Sequence, residues 1–266
     1  MKVGMMATRR FFTSTNQEVP ALTTAQMREV DRIAMQETGP NLFQMMENAG
    51  RNLAEMALES LGDNWQQARV VVLAGTGGNG GGGITAARHL ANRGVRVELC
   101  MAMPNKLSEV AAWQRKIFRS TAGKEVALGS LDSKKIGLIL DALIGYGLES
   151  APQGIFAELI RWANGTRVPI ISLDVPSGMD STTGQTPGEF IRATWTMTLA
   201  LPKSGLAESD IGELVLADIG IPQETYQRIG VPYVSPFGNR FRVPLFVQSI
   251  EDERVAAGAL DRGSSR

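Results

Sequence analysis

Two aspartates and a run of glycines stand where a binding site is easiest to build, directly after short hydrophobic segments. Val70-Val71-Val72-Leu73 leads into Gly75-Thr76-Gly77-Gly78-Asn79-Gly80-Gly81-Gly82-Gly83, Leu138-Ile139-Leu140 ends at Asp141, and Ile170-Ile171-Ser172-Leu173 ends at Asp174. In an open α/β sheet the ligand crevice lies outside the carboxyl ends of the strands, because the loops there turn backbone N–H groups and side chains toward one another. A small-molecule site is the leading reading. A strand, a glycine turn and a helix in succession also suit an anion, since glycines let backbone N–H groups approach and the helix N-terminus carries partial positive charge.

Several reactions that use such a turn are disfavoured. Gly75, Gly77 and Gly80 satisfy a GxGxxG spacing, a weak signal alone. A dinucleotide-binding oxidoreductase also needs an acid about 20 residues on, at the end of the second strand. Glu98 lies inside that strand instead, and the strand end reads Met101-Ala102-Met103-Pro104. No Gly-Lys-Ser/Thr follows the glycines, so nucleotide hydrolysis has no support. Ser177 stands in Pro-Ser-Gly, unlike a hydrolase nucleophile in Gly-x-Ser-x-Gly.

The elements that must position these residues are legible as alternation. Strands are expected over residues 69–74, 96–101, 136–141, 169–174, 194–201 and 213–217, and helices over 84–93, 107–121 and 154–163. Ahead of them, Thr23 with Gln26 makes a capping-box signal for a helix to about Thr38, and residues 41–61 repeat apolar side chains at helical spacing. The methionines of that stripe read as core packing. The pattern implies an α/β fold, a Rossmann-like three-layer α/β/α sandwich with a mostly parallel sheet and two extra N-terminal helices.

The chain of 266 residues has 27 basic and 27 acidic side chains, so no net charge argues for nucleic acid or an anionic membrane. One cysteine, Cys100, and one histidine, His89, exclude a disulfide framework and a Cys/His zinc centre. A reducing compartment such as the cytoplasm fits. Residues 1–17 carry Lys2, Arg9 and Arg10, hydroxyl side chains and no acid, which resembles an organellar transit peptide. Mitochondrial import therefore stays open beside a short disordered leader. On either reading residues 1–19 are set outside the fold, residues 20–235 form one domain, and residues 236–266 are a partly disordered extension.

Taken together, the strand ends resemble the YjeF N-terminal domain family, the NAD(P)H-hydrate epimerases and apolipoprotein A-I-binding-protein-like proteins. The matching pieces are Met46-Glu47-Asn48-Ala49-Gly50, the glycine run with Ala86-Ala87-Arg88-His89-Leu90, Asp141-Ala142-Leu143-Ile144-Gly145-Tyr146-Gly147-Leu148, Asp174-Val175-Pro176-Ser177-Gly178-Met179-Asp180, Leu201-Pro202-Lys203-Ser204-Gly205 and Asp218-Ile219-Gly220-Ile221-Pro222. The resemblance implies interconversion of the R and S forms of hydrated NADH and NADPH, with one bound potassium ion. Carried over by motif, Asn79, Asp141 and Ser177 would hold the ion. Gly78, Asn79, Gly80, Gly81, Gly82, Gly145, Tyr146, Gly147, Leu148, Glu149, Ser150, Ala151 and Asp174 would contact the substrate, and Asp174 with Lys203 would act at the reacting ring. An ATP- or ADP-dependent dehydratase would be the functional partner, not attached to this chain. A homodimer is compatible with the reading.

Three side chains depart from the family pattern. Gly78 replaces an Asn and Gly82 an Asp in the loop usually reading Gly-Asn-Asn-Gly-Gly-Asp-Gly, and Tyr146 replaces Thr in Gly-Thr-Gly. The expectation is that polar contacts are lost at the mouth of the site and that Gly78→Asn with Gly82→Asp restores them. The alternative is a catalytically weakened nucleotide-binding or scaffold module, since the same domain occurs in RNA-decapping scaffolds. His89 and Cys100 are read as structural.

Overall fold

The computed structural model of the chain describes residues 9–249. Strands β1 (Arg9–Thr13) and β2 (Glu18–Val19) precede helices α1 (Thr24–Ile33) and α2 (Leu42–Leu61), and a π-helical turn, Ala34–Thr38, extends α1. There follow β3 (Arg69–Ala74), α3 (Gly78–Ala91), β4 (Arg96–Met101), α4 (Glu109–Phe118), β5 (Lys124–Val126) and β6 (Leu138–Ala142). The chain continues through α5 (Gly154–Thr166), β7 (Ile170–Leu173), β8 (Trp195–Leu199), β9 (Glu213–Ala217), α6 (Gln223–Arg228) and β10 (Arg242–Ser249). One ten-stranded sheet results, in the order β2-β1-β10-β9-β8-β7-β6-β3-β4-β5.

From β5 to β9 all neighbours are parallel. Beyond β9 the pairing turns antiparallel through β10, β1 and β2. The order reverses direction between β3 and β6, so the loops after these two strands diverge and leave a crevice. Strand alternation sorts the core. Val70, Val72, Ala74, Leu138 and Leu140 pack on one face with α1, α2, α3 and α4, while Val71, Leu73 and Ile139 pack on the other with α5.

Helix starts follow local chemistry. Thr23 and Asn41 each form a reciprocal capping box, with Gln26 and Gln44 respectively, satisfying two otherwise orphaned N–H groups per helix. The start of α3 does not follow local propensity, since the helix begins at Gly78, six residues ahead of the expected start, and takes in the glycine run. Close approach is the reason. A Cβ on Gly83 would lie 2.4 Å from Ala142 Cβ, one on Gly80 2.1 Å from the Gly75 carbonyl oxygen, and one on Gly50 2.3 Å from Thr85 Cβ. The missing side chains let α3 sink onto β6 and let α2 cross α3 tightly, and the packing gained outweighs the poor helix propensity of glycine.

Two segments expected outside the fold belong to it. Residues 9–19 supply β1 and β2, with Phe11 and Phe12 buried, and residues 242–249 form β10 between β1 and β9. Residues 1–8 and 250–266 of the expected leader and extension lie outside the described residues. The short β5 and α6 also had no clear sequence signal. Among the described residues, no helix is long and apolar enough to cross a membrane.

Gly83→Ala is expected to destabilise the protein by roughly 1–3 kcal/mol through overpacking against Ala142. Gly165→Ala, in α5 with open space around it, should be neutral or slightly stabilising. Equal thermal melting of the two variants would overturn the close-approach account of the glycine run.

Candidate functional site

A cleft of about 810 Å³ opens at the β3/β6 reversal. Its rim and floor include Thr76, Gly77, Gly78 and Asn79 at the start of α3, the loop residues Gly145 to Ala151, and Asp174 and Lys203. One face of α1 supplies Met27, Arg28 and Asp31, and α2 adds Leu42, Met45 and Met46. The methionines thus serve two purposes: Met45 and Met46 are buried core residues whose edges also wall the cleft.

Beneath the floor lies a hydrogen-bond hub. Asp141 is fully buried, and it sits in β6 one residue before the strand's end, in register with Leu73 on one side and Ser172 on the other. Its Oδ1 accepts from Ser177 Oγ (2.6 Å) and from the Leu143 N–H (3.2 Å). Its Oδ2 accepts from Ser172 Oγ (2.8 Å) and from the Ser177 N–H (2.9 Å). Burial pushes the carboxyl above its ordinary range, and the Ser177, Ser172 and Leu143 donors oppose that shift. Ser177 Oγ in turn accepts from the Ile144 N–H at 2.8 Å. The loop after β6 and the turn after β7 are therefore locked to one carboxylate.

Above the hub, Asp174 holds a left-handed backbone, φ 72°, a conformation that Asp adopts more readily than most residues and that is often strained at functional sites. Its Oδ2 accepts the Tyr146 N–H at 3.0 Å, and its Oδ1 accepts from Lys203 Nζ. Lys203 is wholly buried and also donates to the Leu199 carbonyl at 2.8 Å. Ala200, with φ 64°, turns the chain between those two residues. An ion pair this dry can hold or pass a proton at the cleft floor.

Asn79 presents a different signal. Both polar atoms of its amide are buried without a hydrogen-bond partner among the described residues, and its side chain lies beside Gly145, where an added Cβ would be 3.3 Å from Asn79 Cγ. Buried amides are rarely left unpaired in folded proteins. A free buried carbonyl oxygen at the cleft suits a ligand donor or an oxygen-seeking cation.

The expected site residues divide cleanly. Gly78, Asn79, Gly145 to Ala151, Asp174 and Lys203 meet at the cleft. Gly80, Gly81 and Gly82 do not line it: they are buried in α3 against Gly75, Val110 and Leu173 respectively. Asp141 and Ser177 lie under the floor. The departures at Gly78 and Gly82 therefore differ in kind. A Cβ on Gly78 would make ordinary contact with Met46 Sδ at 3.6 Å, whereas on Gly82 it would come within 2.8 Å of Leu173 Cδ2. Asp31 was missed, because it sits within an amphipathic helix whose buried stripe, Met27, Val30 and Ile33, draws the eye.

Other motif residues serve packing. Asn48 and Asn52 donate to the Ile219 and Asp218 carbonyls, tying α2 to the turn before α6. Glu47 receives Arg88 at 2.5 Å and His89 at 2.8 Å, joining α2 to α3. Glu98 is tied to Arg69 at 2.6 Å on the neighbouring strand, away from the role of a ribose-binding acid. Cys100 is buried, and desolvation pushes its thiol up to about 11.

The profile of the family described as YjeF-related protein N-terminus matches residues 42–205. The chain is 52% identical over 229 residues to a protein of Dehalogenimonas lykanthroporepellens named NAD(P)H-hydrate epimerase, covering 86% of this chain and 94% of that one. It is 36% identical to a protein of the same name from Rhodopirellula baltica, covering 80% and 90%. A Salinibacter ruber protein named bifunctional NAD(P)H-hydrate repair enzyme Nnr is 36% identical, but the match spans only 41% of its length. In fold, the crystal structure of the yeast protein ynu0 superposes with a TM-score of 0.72 at 21% identity, covering 87% of this chain and all of that one.

Asp141→Ala should cost roughly 3–5 kcal/mol, because it strands several buried donors at once. Gly82→Asp should also destabilise, by placing a carboxylate against the apolar side chains of Leu173, Ala49 and Met46, while Gly78→Asn is accommodated. Chemical denaturation measures all three, and a stable Asp141→Ala protein would remove the hub from the account.

Proposed function

Because the chain belongs to the family of YjeF-related protein N-termini, we propose that it is an NAD(P)H-hydrate epimerase whose reacting ring lies over Asp174 and Lys203. The observation that carries this reading is the buried Asp174–Lys203 pair at the floor of the cleft. In water addition to a reduced nicotinamide, the hydroxyl bonds to the carbon next to the ring nitrogen, because nitrogen lone-pair donation stabilises positive charge there. Inverting that carbon requires a bond to it to break and re-form from the other side. A carboxylate held by Lys203 and the Tyr146 N–H can take and return the proton of the incoming or leaving water. The methionine and leucine wall excludes bulk solvent from the ring, which strengthens those polar contacts.

The substrate is hydrated NADH or NADPH. The bifunctional relatives suggest that a dehydratase consumes the S form downstream. Potassium fits this site through Asn79, whose buried amide oxygen has no partner among the described residues. Asp141 would add negative charge and Ser177 a neutral oxygen to such a site, yet all four acceptor positions of the Asp141 carboxylate are already engaged. An ion there would share those oxygens and neutralise negative charge beside the substrate.

The direct assay supplies the R epimer with an S-specific dehydratase and ATP and follows recovery of reduced cofactor. Recovery should exceed the spontaneous rate; no acceleration would favour a binding or scaffold role. Asp174→Asn should lower turnover about 100-fold or more, since an amide cannot exchange the proton. Asparagine tolerates the positive φ, but Lys203 is left buried without its counter-ion, so melting should fall too. Adding Lys203→Met should recover melting without recovering turnover.

If Asn79 holds the ion, the protein should melt roughly 2–4 °C higher in potassium chloride than in choline chloride, the shift that about 1 kcal/mol of linkage gives a domain of this size. Asn79→Ala should abolish the difference. Equal melting of the parent in both salts excludes a specific ion.

A further inference from the structure

Tyr146 spans two carboxylates. Its backbone N–H donates to Asp174 Oδ2 at 3.0 Å, and its phenol O–H donates to Asp31 Oδ2 at 2.5 Å. Lys203 Nζ stands 6.0 Å from the centroid of the same ring. The Tyr146 carbonyl accepts from Ser181 Oγ at 3.0 Å, so the tyrosine is fixed at both ends. Asp31 has no ion-pair partner among the described residues, and it lines the cleft together with Arg28 and Met27 of its own helix. A cleft-lining carboxylate held by a single phenol, one tyrosine away from the Asp174–Lys203 pair, has no structural task that an amide could not do.

Epimerisation itself calls for a second such group. The hydroxyl leaves from one face of the ring and returns to the other, and one carboxylate fixed at the floor serves one face. We propose that Asp31, positioned by Tyr146, is the second proton-handling group of the reaction, working across Tyr146 from Asp174. The proposal rests on the epimerase reading and deepens it.

The step balances without any further reagent. The Asp31 carboxyl gives its proton to the ring hydroxyl, the C–O bond breaks with its electron pair leaving as water, and the ring nitrogen's lone pair forms an iminium. Water then adds to the opposite face and gives a proton to the Asp174 carboxylate. In the reverse direction the two residues exchange roles, as microscopic reversibility requires, and solvent exchange resets the pair. Burial raises the Asp31 carboxyl above its ordinary range, against the Tyr146 hydrogen bond, in the direction a proton donor needs. The charged and titratable groups around Asp31 are Arg28 on its own helix, Tyr146, Asp174, Lys203 and Tyr226.

The test compares parent, Asp31→Asn, Asp31→Glu and Tyr146→Phe, measuring kcat and KM for epimerisation together with melting. Asp31→Asn keeps an acceptor for the phenol, so melting and KM should change little while kcat falls about 100-fold or more. Asp31→Glu should recover part of kcat, and Tyr146→Phe, which frees Asp31 without removing it, should cost about tenfold. An active parent with near-parental kcat in Asp31→Asn, or a loss confined to KM or melting, overturns the proposal and leaves the epimerase reading standing. A folded parent with no turnover removes both.

Discussion

The buried carboxylate of Asp141 is the constraint on which the site depends. A charge taken out of water is unfavourable unless its lone pairs are met, and here they are met by four donors drawn from β7, from the turn after it and from the loop after β6. Satisfying the carboxylate therefore fixes the ends of two parallel strands relative to each other. Asp174 begins the turn that Ser177 anchors, and Tyr146 follows the loop that Leu143 and Ile144 anchor. The Tyr146 N–H meets Asp174 because both are tethered to the same buried charge.

A second constraint brings the helices down to this frame. Gly80 and Gly83 of α3 leave no room for a Cβ against Gly75 and Ala142, and Gly50 leaves none against α3. Contact at that distance sets the height of the α3 N-terminus above the sheet, and with it the position of Asn79. The glycines are thus spent on packing more than on opening backbone N–H groups to a phosphate. Leu173, reaching toward Gly82, fills the space that a longer side chain there would require.

The cleft joins unlike surfaces. Its wall is methionine and leucine from α1 and α2, and its floor is a dry Asp–Lys pair with a second carboxylate one tyrosine away. An apolar wall suits a flat reduced ring and keeps water out, while the convergent polar groups orient what is bound. Arg28, exposed at the rim, places a positive charge within reach of Tyr146.

Local pattern was enough to determine β3, β4 and β9, the capping box at Thr23, the α/β class and the place of Asp174 at the end of a strand, while Lys203 and the loop 145–151 entered through motif resemblance. Hydrophobic runs bounded by turn residues specify buried parallel strands without help from distant sequence, and strand ends in such a sheet share one edge. Only the tertiary structure decided the rest. β1 opens on two arginines and β10 contains Pro244, neither reads as a buried strand, and the two pair with each other across more than 230 residues of sequence. Propensity is measured within a few residues and cannot register such a partner. The same holds for the helical glycines, for the four donors that close on Asp141, and for Asp31, whose chemistry exists only because Tyr146, 115 residues on, reaches back to it across the cleft.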